Sequence, residues 1–152
     1  MTRPAKFAVI PLKSVRDLGI HVDSDLSMRT HISKTVSGCF AMLRQIRSIR
    51  RSVTRPVLQS LIVSLVLTKL DYGCTTLAGL PNNQLRRLQA VQHAAARIIF
   101  HARKFDHVTP LLRELHWLPV QQRIQFRLAT LAYRCLHGTA PHYLADQLRR
   151  VA

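Results

Sequence analysis

Arginines at helical spacing are the side chains of this chain best placed to do chemistry. Arg86 recurs with Arg97, and Arg123 with Arg127 and Arg134. Arg44, Arg47 and Arg51 flank the apolar face of an earlier segment. A guanidinium forks onto pairs of phosphate oxygens and stacks on bases, whereas lysine acts as a point charge. Rows of arginine on helix faces can therefore track a phosphate backbone. A charged face is usually just solvated. Here the balance of 23 Lys+Arg against 7 Asp+Glu, a formal net charge of +16, leaves few carboxylates to neutralise these rows. Such an excess repels itself in a compact state unless a polyanion is near, and nucleic acid is the first candidate partner.

Other groups carry weaker signals. Asp23-Ser24-Asp25 could hold a metal or serve as an acid–base pair, but it sits where a strand gives way to a helix, and helix capping is the preferred reading. The 8 histidines show neither an HExxH pattern nor Cys/His ligand spacing. Cys39, Cys74 and Cys135 are odd in number and far apart, which argues against a disulfide framework and for buried thiols in an intracellular protein. Trp117, between two expected helices, could stack on a base; anchoring the core is the preferred reading.

The elements that would position these groups are mainly helical. Phe7–Ile10 and Val15–Val22 read as two short strands, too few for an independent sheet, as if the chain began inside a larger α/β domain. From Ser27 the period is helical, with Ser24 and Asp25 as caps and Ile32, Val36, Cys39, Leu43 and Ile46 on one face. Gly38 reads as a close packing contact. A helix from Thr54 to Leu70 is apolar almost all round, so both its sides should be buried, with Ser60, Ser64 and Thr68 as a small-residue stripe for close packing. A loop over 71–81 leads to a helix from Asn82 or Asn83 to Ala102 with Leu85, Leu88, Gln92, Ala95 and Ile99 on one side. Thr109-Pro110 opens a short helix. A longer one runs from Val120 to His137, with Val120, Ile124, Leu128, Leu131 and Cys135 inward and Gly138 as its stop. A last helix spans Tyr143–Arg150. The expected fold class is mainly α: about six helices in a compact bundle of antiparallel neighbours, with a short two-strand β remnant at the N-terminus. The expected division is 1–26, a β remnant of a palm-like domain, and 27–152, a helical thumb-like domain. The most apolar run, Val57 to Leu67, is too short and too interrupted for a membrane span.

Several segments in order resemble one known family. His107 to Gln122 reads HVTPLLRELHWLPVQQ, and Cys135 to Leu144 reads CLHGTAPHYL. Val15 to Ser27 reads VRDLGIHVDSDLS, followed by His31-Ile32. Thr68 to Tyr72 reads TKLDY, and Leu80-Pro81 precedes Leu88 to Arg97, LQAVQHAAAR. Together these resemble the C-terminal region of reverse transcriptases from LINE-type, non-LTR retrotransposons, over nearly the whole chain. The chain departs from the family at Gly73-Cys74, where Cys-Asn is frequent.

The resemblance implies the end of the palm plus a helical thumb, which in such polymerases holds the primer–template duplex. The family's catalytic turn carries an adjacent Asp pair, with a third Asp upstream, binding two magnesium ions. This sequence contains no adjacent Asp pair, so no catalytic position transfers to it. The expectation is a non-catalytic fragment without a cofactor of its own, magnesium belonging only to a full-length RNA-directed DNA polymerase. Its partners would be nucleic acid, through phosphate contacts, and the missing palm and fingers. A mobile-element remnant without activity, or a basic helical module for an acidic protein or an anionic membrane, are the rival readings.

Overall fold

The computed structural model describes residues 12–146 and 148. The expected strand Phe7–Ile10 lies outside the described residues. The segment expected as one strand over Val15–Val22 is two: β1 (Ser14–Asp17) and β2 (Ile20–Asp23) pair antiparallel, Val15 opposite Val22. Leu18 and Gly19 between them have φ of 43° and 85°, the positive pair that a two-residue primed turn needs. The Tyr72 hydroxyl donates to the Leu18 carbonyl and ties this turn to the helical body. Ile20 packs on the main core.

The helix α1 spans Arg29–Ile49. Its start is held neither by Ser24 nor, at the helix itself, by Asp25. Asp23, buried at the end of β2, accepts the Thr30 backbone N–H at 3.0 Å and the Ser27 hydroxyl at 3.3 Å. Asp25 instead accepts the Ser27 N–H, closing the turn before the helix. Ile32, Cys39, Leu43 and Ile46 are buried as their period requires.

A continuous rod follows: α2 (Arg55–Ile62), a π-helical turn (Val63–Leu67) and α3 (Thr68–Asp71). The Thr68 N–H and hydroxyl both reach the Val63 carbonyl, five residues back, which accommodates the wider turn. Leu58, Ile62, Val66 and Leu67 face the core, but Val57, Val63 and Leu65 are exposed. The expectation that both sides are buried is therefore wrong: this rod lies at the surface of the bundle, and only its inner face is covered. Ser60, Ser64 and Thr68 are exposed too, with the hydroxyls of Ser64 and Thr68 bonded to their own helix rather than lining a helix contact.

A 3₁₀ turn, Cys74–Leu77, buries both its end residues and leads to α4 (Asn82–Ile99). Then come α5 (Thr109–Glu114), α6 (Val120–Leu136) and α7 (His142–Ala145). Counting α2–α3 as one rod, the described residues form six helices. Pro81, not an asparagine, precedes the first turn of α4, and α4 ends before the expected Ala102. Its end is a wrapped turn: His101 adopts φ 52° and the Ala102 N–H reaches back to the Arg97 carbonyl at 3.0 Å. His116 after α5 and Gly138 after α6 close their helices in the same way. Trp117 is buried in the core.

Packing of α1 against α4 dominates the tertiary contacts. The two run in the same direction, because the α2–α3 rod returns between them: Gln84 bonds the Ser27 carbonyl and Arg87 the Ser33 hydroxyl at their N-terminal ends. The expected antiparallel neighbours therefore hold for α1 and the rod but not for α1 and α4. On α6, Val120, Ile124 and Cys135 are buried, while Leu128 and Leu131 stay 36% and 38% exposed, so the expected inward face is covered only in part. All three cysteines are buried and unpaired. No helix among the described residues is long and apolar enough to cross a membrane.

Candidate nucleic-acid interface

Parallel packing brings the C-terminal halves of α1 and α4 side by side. Between them lies a groove of about 400 Å³. Its floor is apolar: Phe40 and Leu43 from α1, Ala94 and Ile98 from α4, and Ala102. Its rim carries Arg44, Arg47, Arg50, Arg97 and Lys104, with no carboxylate among the lining residues.

Each rim residue has a local reason for its place. Arg44 and Arg47 lie on the flank of the buried face of α1, and Arg50 is its C-cap. Arg97 ends α4, and the wrapped turn at His101 carries the chain back so that Lys104 reaches the same groove. Part of this charge answers the two helix C-termini, each equivalent to roughly half a negative charge. Two half-charges do not balance five cations. Arg97 makes one long bond, from Nη2 to the Asp106 carbonyl at 3.5 Å, while its enclosed Nε has no acceptor. The Asp106 carboxylate is committed to the Arg103 N–H at 2.6 Å within the loop.

The remaining arginines fare differently. Arg123 and Arg127 on α6 are both held by Asp71, at 2.8 Å and 3.0 Å, so one carboxylate offsets one of their charges and ties both side chains into the protein. Arg134 is exposed further along α6, and Arg86 is exposed near the start of α4, away from the groove. Arg51 is exposed in the turn after α1 and does not line the groove. Arg55, outside the expected rows, pairs with Glu114 at 2.6 Å and lies over the Phe100 ring at 4.0 Å.

Of the arginines singled out in the sequence, the fold thus gathers Arg44, Arg47 and Arg97 in the groove, joins Arg123 and Arg127 on Asp71, and leaves Arg51, Arg86 and Arg134 outside both. Comparison with protein-family models, curated proteins and solved structures returned no match. Arg50 and Lys104 escaped the sequence reading because they follow the helical rows rather than lie in them. The dense basic run Arg44 to Arg55 was the available signal for Arg50. Nothing local marks Lys104.

A second hollow, of about 690 Å³, lies under the turn between α5 and α6. Trp117, His93, His116 and Arg113 contribute to its wall. Burial, and then the neighbouring Arg97 charge, push the His93 pKa below its ordinary 6.5, so this ring is neutral at physiological pH.

Proposed function

We propose that this chain is a non-catalytic, thumb-like piece of a LINE-type reverse transcriptase that binds primer–template nucleic acid through phosphate contacts. The observation that carries the binding reading is the convergence of Arg44, Arg47, Arg50, Arg97 and Lys104 on one groove with no lining carboxylate. The polymerase origin rests on the ordered sequence segments described above. Uncovered apolar residues are consistent with a palm packing against the helices. Phe126 and Tyr133, about two turns apart on α6, are 62% and 61% exposed. No base readout is invoked: arginines that neutralise phosphates position a duplex without reading its sequence.

The test is binding of the purified chain to an RNA–DNA hybrid over a salt series. The expected log–log slope is about −3 to −5, the signature of several neutralised phosphates. A folded sample that binds nothing at low salt contradicts the proposal and favours an inactive mobile-element remnant.

A further inference from the structure

Phe105 is 89% exposed, the most exposed large apolar side chain among the described residues. It stands in the loop between α4 and α5, preceded by Arg103 and Lys104 and followed by Asp106. The Lys104 ammonium lies 5.8 Å from the Phe105 ring centre and also lines the groove. The ring therefore sits beside the cationic rim.

The loop that presents it is built rather than slack. The wrapped turn fixes its start through the Ala102–Arg97 bond, and Asp106 closes its tip through both its carboxylate and its backbone N–H to Arg103. Arg97 reaches the Asp106 carbonyl from the groove side. Phe100, by contrast, is half-buried and already covered by Arg55. Phe105 alone of the two aromatic rings keeps a free face.

We propose that the groove together with Phe105 is a binding site for unpaired, single-stranded nucleic acid: phosphates on Arg44, Arg47 and Arg97, and one base stacked on Phe105. The proposal rests on the phosphate-binding reading above and extends it from duplex to single strand. Two arguments favour a single strand. A base within a duplex has both faces covered by its neighbours, so an exposed aromatic ring finds a partner only in an unpaired or terminal base. Cationic tracks combined with aromatic platforms are how proteins hold single strands without sequence preference. In a primer–template complex the strand would be the unpaired template beyond the duplex.

The test uses the whole chain. Wild type and Phe105→Ala are titrated with oligothymidine and oligouridine strands of about 12 nucleotides, and with a duplex of similar length whose two ends are closed by non-nucleotide linkers. Binding of either strand is expected to weaken about tenfold in Phe105→Ala, with an unchanged salt slope and unchanged duplex affinity. Phe105→Trp is expected to show quenched tryptophan emission on adding either strand, against the constant background of the buried Trp117. Equal single-strand binding by wild type and Phe105→Ala, or unquenched Phe105→Trp emission at saturation, overturns the proposal. If the duplex still binds with the expected salt slope, the stacking platform fails and the phosphate groove stands. If neither duplex nor single strand binds, the groove reading fails and this inference with it. The thermal midpoint of Phe105→Ala should match wild type, since the ring is not packed.

Discussion

Arg123 donates to both carboxylate oxygens of Asp71, each at 2.8 Å, and Arg127 bonds one of the same oxygens at 3.0 Å. This clamp joins the end of α3 to α6. The Asp71 and Arg123 side chains are only 19% and 18% exposed, so solvent screens their pair far less than the exposed Arg55–Glu114 pair. Removing the carboxylate leaves two guanidinium groups facing each other without a counter-charge. Asp71→Ala should destabilise the fold by about 2 kcal/mol, a fall of roughly 5 °C in Tm for a domain of this size. Urea unfolding of Asp71→Ala, Arg123→Ala and the double variant checks this. The double variant should be less destabilised than the sum of the singles; strict additivity would mean that the pair contributes nothing.

Acid should weaken the junction between the hairpin and α1. His31 is buried and accepts the His21 backbone N–H at 3.4 Å through Nδ1. Burial, and then the neighbouring His21, push its pKa below 6.5. Below pH 6.5 the unfolded chain binds a proton that the folded His31 resists, so this contribution is present above 6.5 and is lost as pH falls through the depressed value. Asp23 adds a second window. Hydrogen bonds from Thr30, then from Ser27, hold its carboxyl below 3.8, so its contribution is present above 3.8 and lost as pH falls through the lower folded value. Urea midpoints measured from neutrality down to about pH 3 should fall with acid in wild type. The slope should be shallower in His31→Gln. It should not vanish, because His21 and His93 are depressed as well. A pH profile identical to wild type would mean that His31 contributes nothing to the acid sensitivity.

Two glycines should answer oppositely to alanine. A Cβ at Gly38 would meet only the Lys69 side chain, its Nζ at 2.6 Å, and the flexible tip of a lysine can swing away. Gly38→Ala should therefore stabilise α1 by about 0.5–1 kcal/mol through helix propensity. Gly73 has φ +66°, and a Cβ there would meet Ile20 Cδ1 at 2.6 Å and Cγ1 at 3.1 Å. Gly73→Ala should destabilise by at least about 1–2 kcal/mol from backbone strain alone, and should loosen the hairpin that Ile20 anchors. Thermal melts of the two variants separate these outcomes, and a destabilised Gly38→Ala would restore the close helix contact expected there.

Helical periodicity was the strongest guide to the fold. The face of α1 from Ile32 to Ile46, the inward side of α4, the burial of Trp117 and the stop at Gly138 all follow from residue type and spacing. The hairpin was hidden because Leu18-Gly19 lacks the usual Asn-Gly or Asp-Gly turn signal, and its strain is met by Tyr72, distant in sequence. Leu128 and Leu131 misled because periodicity shows which face of a helix is apolar, not whether a neighbour reaches far enough to cover it. The groove depends on α1 and α4 packing parallel, which no local pattern encodes. For the same reason charge spacing alone could not tell Arg97, on the groove, from Arg123, held by a carboxylate from another element.

We propose that phosphate binding belongs to the groove between α1 and α4 and not to the row on α6. It is tested most directly by comparing salt slopes for RNA–DNA hybrid binding by wild type, Arg44→Ala/Arg47→Ala/Arg97→Ala and Arg123→Ala/Arg127→Ala. The groove variant should lose about 2–3 units of log–log slope. The α6 variant should keep the wild-type slope, at reduced thermal stability. A wild-type slope in the groove variant, with the loss in the α6 variant instead, would contradict it.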